Sequence, residues 1–165
     1  MNTENAVPDT ARLIADLAAR VAYLEDKQAI VDLMTSYGPA IDAGCADAVA
    51  RVWTADGVYD VDTGVMRGHE QITAMVRGRM HQGFIAQGCA HILEPGQVRI
   101  DGDTAVATGK SMLILHDDDG FTVARATANR WELIRTDEGW KCTRRVGRVL
   151  DSRPEARELL ALAAE

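Results

Sequence analysis

The feature that most constrains the fold is a change of hydrophobic period partway along the chain. Through most of the first half, apolar residues recur three or four positions apart, which is the spacing of an amphipathic helix. In the second half, short strand-like segments are separated by turns rich in Asp and Gly. Helices followed by an antiparallel meander predict an α+β fold, with the helices packed on one face of a curved, mostly antiparallel sheet.

The second half predicts three strand hairpins. Their turns are Asp101-Gly102-Asp103, the run from Asp117 to Gly120, and Glu138-Gly139. A capping box at Ser152–Glu155 then opens a terminal helix that continues through Leu162. The predicted strands are 98–100, 104–109, 111–116, 121–135 and 140–150.

The first half predicts helices with defined start and stop signals. The first begins at Pro8-Asp9-Thr10 and is expected to break near Leu24–Asp26, where Asp26 would cap the next helix. That helix is expected to kink at Pro39, because proline removes a backbone donor, and to end near Ala43-Gly44. The remaining elements predicted here are a short helix at 47–53, a strand at 58–61 and a helix at 70–80.

Length and composition are those of one globular domain. The chain has 165 residues, of which 47% are hydrophobic and 26% charged. We expect a single domain over residues 1–165, with a helical extension at 1–23 and a C-terminal helix at 151–165. The net charge of −7 argues against nucleic-acid binding. Because no apolar run could span a bilayer and the first residues do not form a secretory signal, we expect a cytoplasmic protein that binds no membrane.

The common catalytic and ligand-binding motifs are absent, including those for phosphate binding, dinucleotide binding, zinc proteolysis and serine hydrolysis. Cys45, Cys89 and Cys142 are far apart and odd in number, which favours reduced thiols. The four histidines lack metal-ligand spacing, so we expect no metal and no cofactor. The remaining candidates are side chains that only the fold could bring together: Tyr37, Asp42, His91, Arg144, Arg145 and Arg148.

Four segments of the chain resemble, in the same order, segments of SnoaL-like proteins in the nuclear-transport-factor-2-like superfamily. The resemblance covers about residues 24 to 149. One departure is Pro95, where many relatives carry Asn, so the strand after His91 is expected to bend or bulge. The segments are LEDKQAIVDLMTSYGPAIDAGCADAVARVWTADGVYDV, RGHEQITAMV, HILEPGQVRIDGDTAVA and WELIRTDEGWKCTRRV.

The resemblance implies a conical α+β barrel in which helices close over a bent sheet and leave one deep apolar pocket. Members include polyketide cyclases, ketosteroid isomerase and non-catalytic subunits, so the fold does not fix the function. The polar positions are most similar to those of scytalone dehydratase, bile-acid 7α-dehydratase and hexachlorocyclohexane dehydrochlorinase. In this chain the resemblance assigns these catalytic positions to Tyr37, Asp42, His91 and Arg145.

Each candidate has a structural alternative. Tyr37 and Asp42 are five residues apart, about 140° off a common helix face, so both enter one pocket only if the helix is distorted near Pro39. Otherwise Tyr37 is a core residue and Asp42 ends the helix. His91 could be an ordinary core or surface histidine. With Asp42 on one ring nitrogen, it would instead keep a fixed tautomer and act as a base near neutral pH.

Arg145 needs an irregularity in the last strand. In regular alternation Trp140 shares a face with Arg144, so if Trp140 points inward, Arg145 enters the pocket only through a bulge. Arg144 is the fallback, and the alternative is a solvated stripe of arginines. We also consider Asn129, Trp131 and Trp53 as substrate-binding residues, although the tryptophans suit the core equally well. His69, His81 and His116 are interpreted as structural or exposed.

The leading hypothesis is a cofactor-independent lyase. His91 would remove a proton from a carbon next to a carbonyl, Asp42 would orient the imidazole, and Tyr37 and Arg145 would stabilise the developing oxyanion or the departing hydroxide. The expected partner is a small apolar cyclic molecule such as a steroid or polyketide. Two alternatives remain: isomerisation or cyclisation with the same base, and a non-catalytic ligand-binding or assembly module.

Assembly is predicted from an apolar stripe near the start of the chain. Leu13, Leu17, Val21 and Leu24 would leave an apolar patch in water, which monomers seldom tolerate. We therefore expect a homo-oligomer, a trimer or a dimer. The first helix would contribute to the contact or form a lid over the pocket, while the outer face of the sheet offers a second contact surface.

Overall fold

The structure is a computed structural model that describes residues 10–94 and 96–161. The helix start at Pro8-Asp9, the irregularity at Pro95 and the helix end at Leu162 lie outside these residues. The described helices are α1 (Thr10–Asp42), α2 (Ala46–Arg51), α3 (Gly68–Arg77), α4 (Arg79–Gln87) and α5 (Glu155–Ala161). The strands are β1 (Trp53–Val61), β2 (Gly64–Arg67), β3 (Cys89–Leu93), β4 (Gln97–Asp101), β5 (Thr104–Asp117), β6 (Gly120–Thr136) and β7 (Gly139–Val149).

Helix α1 is continuous, so the predicted break near residues 24–26 is wrong. Asp26 does not cap a second helix. Its carboxylate accepts hydrogen bonds from both terminal nitrogens of Arg135, at 2.6 Å each, and from Trp140 Nε1 at 3.0 Å. The helix runs past Pro39 and ends at Asp42, and Gly44 then adopts φ 66°, the left-handed conformation that commonly follows a helix end.

The two halves of α1 have opposite surroundings. Residues 10–25 are exposed, including the apolar stripe of Leu13, Leu17, Val21 and Leu24, whose side chains are 47–61% accessible. The second half buries Ile30, Met34, Tyr37 and Ile41, which recur at helical spacing and face the sheet. The second half of α1 is therefore fixed by packing, while the apolar stripe stays open to solvent.

The sheet is mixed, with antiparallel pairs everywhere except between β1 and β7. Its order is β2-β1-β7-β6-β5-β3, and β4 also pairs with β5. The three predicted hairpin turns join β4 to β5, β5 to β6 and β6 to β7. Segments 104–109 and 111–116 form one strand, β5, which changes partner from β4 to β3 near Gly109.

Helices cover one face of this curved sheet, which gives the α+β cone that the resemblance implies. The predicted helix at 70–80 is instead two helices, α3 and α4, because Gly78 between them has an extended backbone. The core contains Trp53, Trp131, Leu133 and Cys142 from the sheet, packed on α1, α2 and α3. No helix in the described residues combines the length and apolar composition needed to cross a bilayer.

Candidate active site

A cavity of about 290 Å³ lies between the sheet and the helices. Successive rows of the sheet form its floor, because residues opposite each other on paired strands point to the same face. One row is His91–Leu113–Arg125 and the next is Leu93–Ser111–Thr127, and all six residues line the cavity. The walls include Ile41 from α1 and Met75 from α3. The cavity is therefore largely apolar, with a few polar groups at fixed rows.

Asp42 and His91 are in direct contact. Asp42 Oδ1 lies 2.6 Å from His91 Nδ1, and Asp42 Oδ2 accepts the backbone N–H of His91 at 2.8 Å. Two contacts to one carboxylate fix the ring orientation, and they leave His91 Nε2 as the nitrogen free to act in the cavity.

A glycine makes this contact possible. A Cβ placed on Gly38 would lie only 2.2 Å from the backbone oxygen of His91, so α1 can approach β3 this closely only without a side chain at position 38. The next helical turn then carries Asp42 to His91.

The pKa of His91 is lowered from its ordinary 6.5, chiefly because burial disfavours the imidazolium. The charges of Arg125 and Arg145 act in the same direction, while Asp42 opposes them. His91 is therefore neutral at pH 7, which is the state a base requires.

His81 was interpreted from the sequence as structural or exposed, but it is buried, at 7% accessibility, and lines the cavity. Its ring stacks on His91, with centroids 5.3 Å apart and planes inclined by 15°. Its Nε2 is buried without a hydrogen-bond partner among the described residues. Burial, followed by the neighbouring His91, lowers the pKa of His81. The sequence carried no signal for this placement, since it depends on the helix break at Gly78.

Tyr37 also lines the cavity, and its side chain is 2% accessible. Its hydroxyl lies near Tyr59 but makes no well-formed hydrogen bond within the described residues. Burial is the main cause that raises the pKa of Tyr37 well above 10, so the phenol is protonated and can donate a hydrogen bond to a ligand.

Arg145, and not Arg144, points into the cavity. The pairing of β6 with β7 shifts between Glu132 and Leu133, which leaves Thr143 as an extra residue on β7. This bulge lets Trp140 and Arg145 both face inward, while Arg144 turns outward to bind Asp60 at 3.3 Å. The Arg145 side chain is 3% accessible and has no carboxylate partner among the described residues.

Asn129 and three aromatic rings hold the Arg145 guanidinium. Its Nε and Nη2 donate to Asn129 Oδ1 at 3.0 and 2.8 Å. Its Cζ lies 4.3 Å from the centroid of Trp131, 4.8 Å from Tyr37 and 5.0 Å from Tyr59, distances typical of cation–π contacts. Its Nη1 is buried and makes no hydrogen bond to a described residue.

None of the three residues considered for substrate binding is among those that line the cavity. Asn129 and Trp131 lie on the cavity face of β6 but beneath Arg145, which they support. Trp53 packs at 1% accessibility behind Tyr37, with ring centroids 6.3 Å apart. Their burial under other side chains could not be derived from strand alternation alone.

Cys89 adds a third polar atom beside the Asp42–His91 contact. One donor atom from each of these three residues lies within 4.8 Å of the others. The sequence did not predict this cluster, because the three residues do not have the spacing of a metal-binding motif. The Cys89 thiol donates to Asp42 Oδ1 at 3.4 Å, and burial followed by Asp42 raises its pKa to about 11. Cys89 and His91 both contact the same oxygen of Asp42, so the three side chains form one polar cluster.

Comparison with known proteins agrees with this architecture. Residues 22–146 match the model of the SnoaL-like domain. A nuclear-transport-factor-2-like protein with a cystatin-like fold from Novosphingobium aromaticivorans is 36% identical, covers 96% of this chain and 99% of its own, and superposes with a TM-score of 0.86.

Two further solved structures share the fold. A candidate aromatic ring hydroxylase from the same organism is 31% identical over 78% of this chain and 91% of its own, with a TM-score of 0.62. A protein of unknown function from Mycobacterium tuberculosis is 18% identical over 83% and 91%, with a TM-score of 0.69. The search of curated proteins gave no match.

Proposed function

This chain belongs to the SnoaL-like domain family, and we propose that it is a cofactor-independent lyase that eliminates water from a small apolar cyclic ketone. The family is compatible with small-molecule isomerase or dehydratase chemistry. The observation that carries the proposal is the 2.6 Å contact between Asp42 and His91 at a cavity that also presents Tyr37 and Arg145.

His91 begins the reaction as the base. Its Nε2 takes a proton from the carbon next to the carbonyl, and the C–H electrons move into an enolate. Asp42 stabilises the imidazolium that forms, because a carboxylate on the other ring nitrogen balances its charge. Since burial keeps His91 neutral at pH 7, the base needs no prior deprotonation.

Tyr37 and Arg145 stabilise the enolate oxygen. Tyr37 Oη and Arg145 Nη1 are both buried donors at the cavity, and neither has a hydrogen-bond partner in the described chain. Donors held in place before the reaction favour a developing oxyanion without reorganisation. The enolate then expels a hydroxyl group from the next carbon, and the imidazolium returns its proton to release water.

Isomerisation is the second candidate, and His81 is the observation that favours it. A second neutral imidazole, 5.3 Å from His91, provides another nitrogen that can pass a proton to a different carbon. In that reaction nothing leaves the substrate, because a proton is returned to a different carbon, and exchange of the imidazole proton with deuterated water would label that carbon.

The test uses cyclic β-hydroxy ketones incubated with the protein in deuterated water and followed by NMR. A lyase gives the conjugated enone and water from these compounds, whereas an isomerase gives a deuterium-labelled conjugated enone from a β,γ-unsaturated cyclic ketone, which is included as a second substrate. His91→Ala should lower either rate by about 10²–10⁴-fold. His116→Ala is the matched control, because His116 is exposed near the end of β5 and does not line the cavity.

Two results would contradict the proposed function. One is a panel of such ketones that shows neither elimination nor deuterium exchange. The other is an unchanged rate in His91→Ala, which would refute the assignment of His91 as the base and support a non-catalytic binding module.

A further inference from the structure

The arginines of β6 and β7 fall into two groups. Four of them lie within 3.3 Å of a carboxylate oxygen of a described residue. The other two have no carboxylate partner in the described chain, and these are the two that line the cavity. The paired ones are Arg130, Arg135, Arg144 and Arg148, and the unpaired ones are Arg125 and Arg145.

Arg125 has a position that the proposed reaction does not use. It is partly buried and makes neither a hydrogen bond nor an ion pair with another described residue. Arg145, by contrast, is held by Asn129 and three rings. An unpaired guanidinium at the rim of an apolar cavity gains most from an anionic partner that enters with the ligand.

The sheet register places Arg125 on the same side as the proposed base. His91, Leu113 and Arg125 form one row across β3, β5 and β6, so the three side chains share a face. The pairing shifts directly after Leu113, which leaves Ala124 as an extra residue on β6. Ala124 consequently lines the cavity beside Arg125, although neighbours on a regular strand point to opposite faces.

Arg125 and Arg145 mark different ends of the cavity. Arg145 pairs with Trp131, six residues further along β6 than Arg125, so the two arginine side chains start from well-separated rows of the sheet. The Arg145 end is closed by buried Tyr37, whereas Arg125 adjoins the exposed Ala124 and faces the open end with Met80. His91 lies in the row of Arg125 and therefore near the open half.

The charges around the cavity are not balanced. The carboxylate of Asp62, which also lines it, is occupied by Arg153 at 3.2 Å and by the backbone N–H of Val149 at 2.7 Å. The Asp42 carboxylate is occupied by His91. The cavity of this protein, whose net charge is −7, therefore carries two guanidinium groups without a carboxylate of their own.

We propose that Arg125 binds a carboxylate on the substrate, so that the substrate class is an apolar cyclic acid held with its anionic group at the open end of the cavity. This inference rests on the proposed function for the identity of the site, although carboxylate binding can be measured without turnover. The reacting carbonyl would lie towards Tyr37 and Arg145, and the ring would fill the apolar middle.

The experiment compares two probes of nearly the same shape, 2-naphthoate and 2-naphthamide, by isothermal titration calorimetry. Neither compound can eliminate water, so binding is separated from catalysis. The full-length protein should bind the acid about 10-fold or more tightly than the amide, as expected for a charge-assisted hydrogen bond. Arg125→Gln should abolish this preference and leave the affinity for the amide unchanged, which also shows that the variant is folded.

Arg130→Gln is the matched control, because Arg130 lies on the same strand but pairs with Glu132 at 3.3 Å and does not line the cavity. This variant should keep the preference for the acid. The inference is overturned if the unmodified protein binds both probes equally or fails to bind 2-naphthoate at millimolar concentration. It is also overturned if Arg125→Gln retains the preference, a result that would assign the anion to Arg145. If the ketones were not turned over, the proposed lyase function would fail, but the binding measurements with 2-naphthoate and 2-naphthamide would still test the role of Arg125.

Discussion

Helix α1 carries two aspartates that each join it to the sheet, and they do so in different ways. Asp26 binds Arg135 and Trp140, and Asp42 binds His91 and Cys89. The closest side-chain contact is 2.6 Å in both cases, and the accessibilities of the two carboxylates are 22% and 23%. Distance and exposure therefore do not distinguish them.

The difference lies in the partner. Arg135 is always charged, and its hydrogen bonds hold the pKa of Asp26 at about 2, so this pair is permanent at physiological pH. His91 can gain and lose a proton, with a pKa that burial lowers from its ordinary 6.5, and it faces a cavity. The same carboxylate geometry attaches a helix in one place and, in the other, supports the proposed proton transfer.

The sharpest test of this contrast exchanges each carboxylate for an amide. Asp42→Asn should lower kcat/KM by about 10²–10⁴-fold, since an amide cannot balance an imidazolium. Asp26→Asn should leave kcat/KM within about twofold, because Asp26 does not line the cavity. Both kcat/KM values are measured by steady-state kinetics on a cyclic β-hydroxy ketone that the NMR assay shows to be a substrate. Equal losses in the two variants would refute the distinction.

The pH dependence tests the titrating partner. Burial lowers the pKa of His91, so the acid limb of kcat/KM should have its midpoint below 6.5, and activity should fall only as His91 becomes protonated. Asp42 raises that pKa, while Arg125 and Arg145 lower it. The residual activity of Asp42→Asn should therefore have an acid limb at still lower pH. A midpoint above 6.5 in the unmodified protein would contradict the assignment of His91 as the neutral base.

A smaller effect is expected on stability when the permanent pair is broken. Asp26→Asn should lower the free energy of unfolding by about 1 kcal/mol, measured by urea titration at pH 7. Because the pKa of Asp26 falls from 3.8 to about 2 on folding, its contribution is present above about pH 4 and is lost as the pH falls towards 2. The difference between variant and parent should vanish over that interval.

Asp47→Asn is the control for stability. Asp47 contacts Arg77 at 3.1 Å, but its side chain is 86% accessible to solvent, so this ion pair is a surface pair. The substitution should change the free energy of unfolding by less than about 0.5 kcal/mol. If the two variants were equally destabilised, the Asp26 contact would be an ordinary surface pair.

The least effect on the site is expected from removing the part of α1 that precedes Asp26. A chain starting at Leu24 keeps both aspartates and should retain kcat/KM. We propose that the exposed stripe of Leu13, Leu17, Val21 and Leu24 contacts another copy of the chain. This truncation should therefore reduce the number of chains per particle, calculated from the mass measured by light scattering. A mass near 17.9 kDa for the full-length chain at micromolar concentration would contradict the homo-oligomer.

Local chemistry predicted much of the fold. The three turns were predictable because Asp and Gly at fixed positions favour tight hairpins whatever the strands later contact. The break at Asp26 was wrongly predicted because its partner, Arg135, lies 109 residues away, and a local capping signal cannot reveal it. The division at Gly78 was missed for a related reason, since glycine within an apolar helical pattern is compatible with either outcome.

The resemblance predicted the site residues that it named. It did not predict positions that depend on a helix boundary or on a change in strand register. Asp42 and His91 could be paired from the resemblance, and Arg145 could be preferred once a bulge was allowed. Arg125 could have been placed on the cavity face, because it alternates with Asn129 and Trp131 along β6. His81 could not be found, because its position depends on the start of α4 after Gly78. Side-chain direction changes with a shift of one residue, and no property of a single residue reveals such a shift.

The close approach at Gly38 has a consequence for how such a protein could lose its chemistry during evolution. Any side chain at this position would meet the His91 backbone oxygen and push α1 away from β3. The helix would then withdraw Asp42 from the imidazole while every polar side chain of the site remained in the sequence. Alanine at position 38 would leave all four polar residues of the proposed site in the sequence, so a comparison of those four positions alone would not reveal that the contact between Asp42 and His91 had been lost.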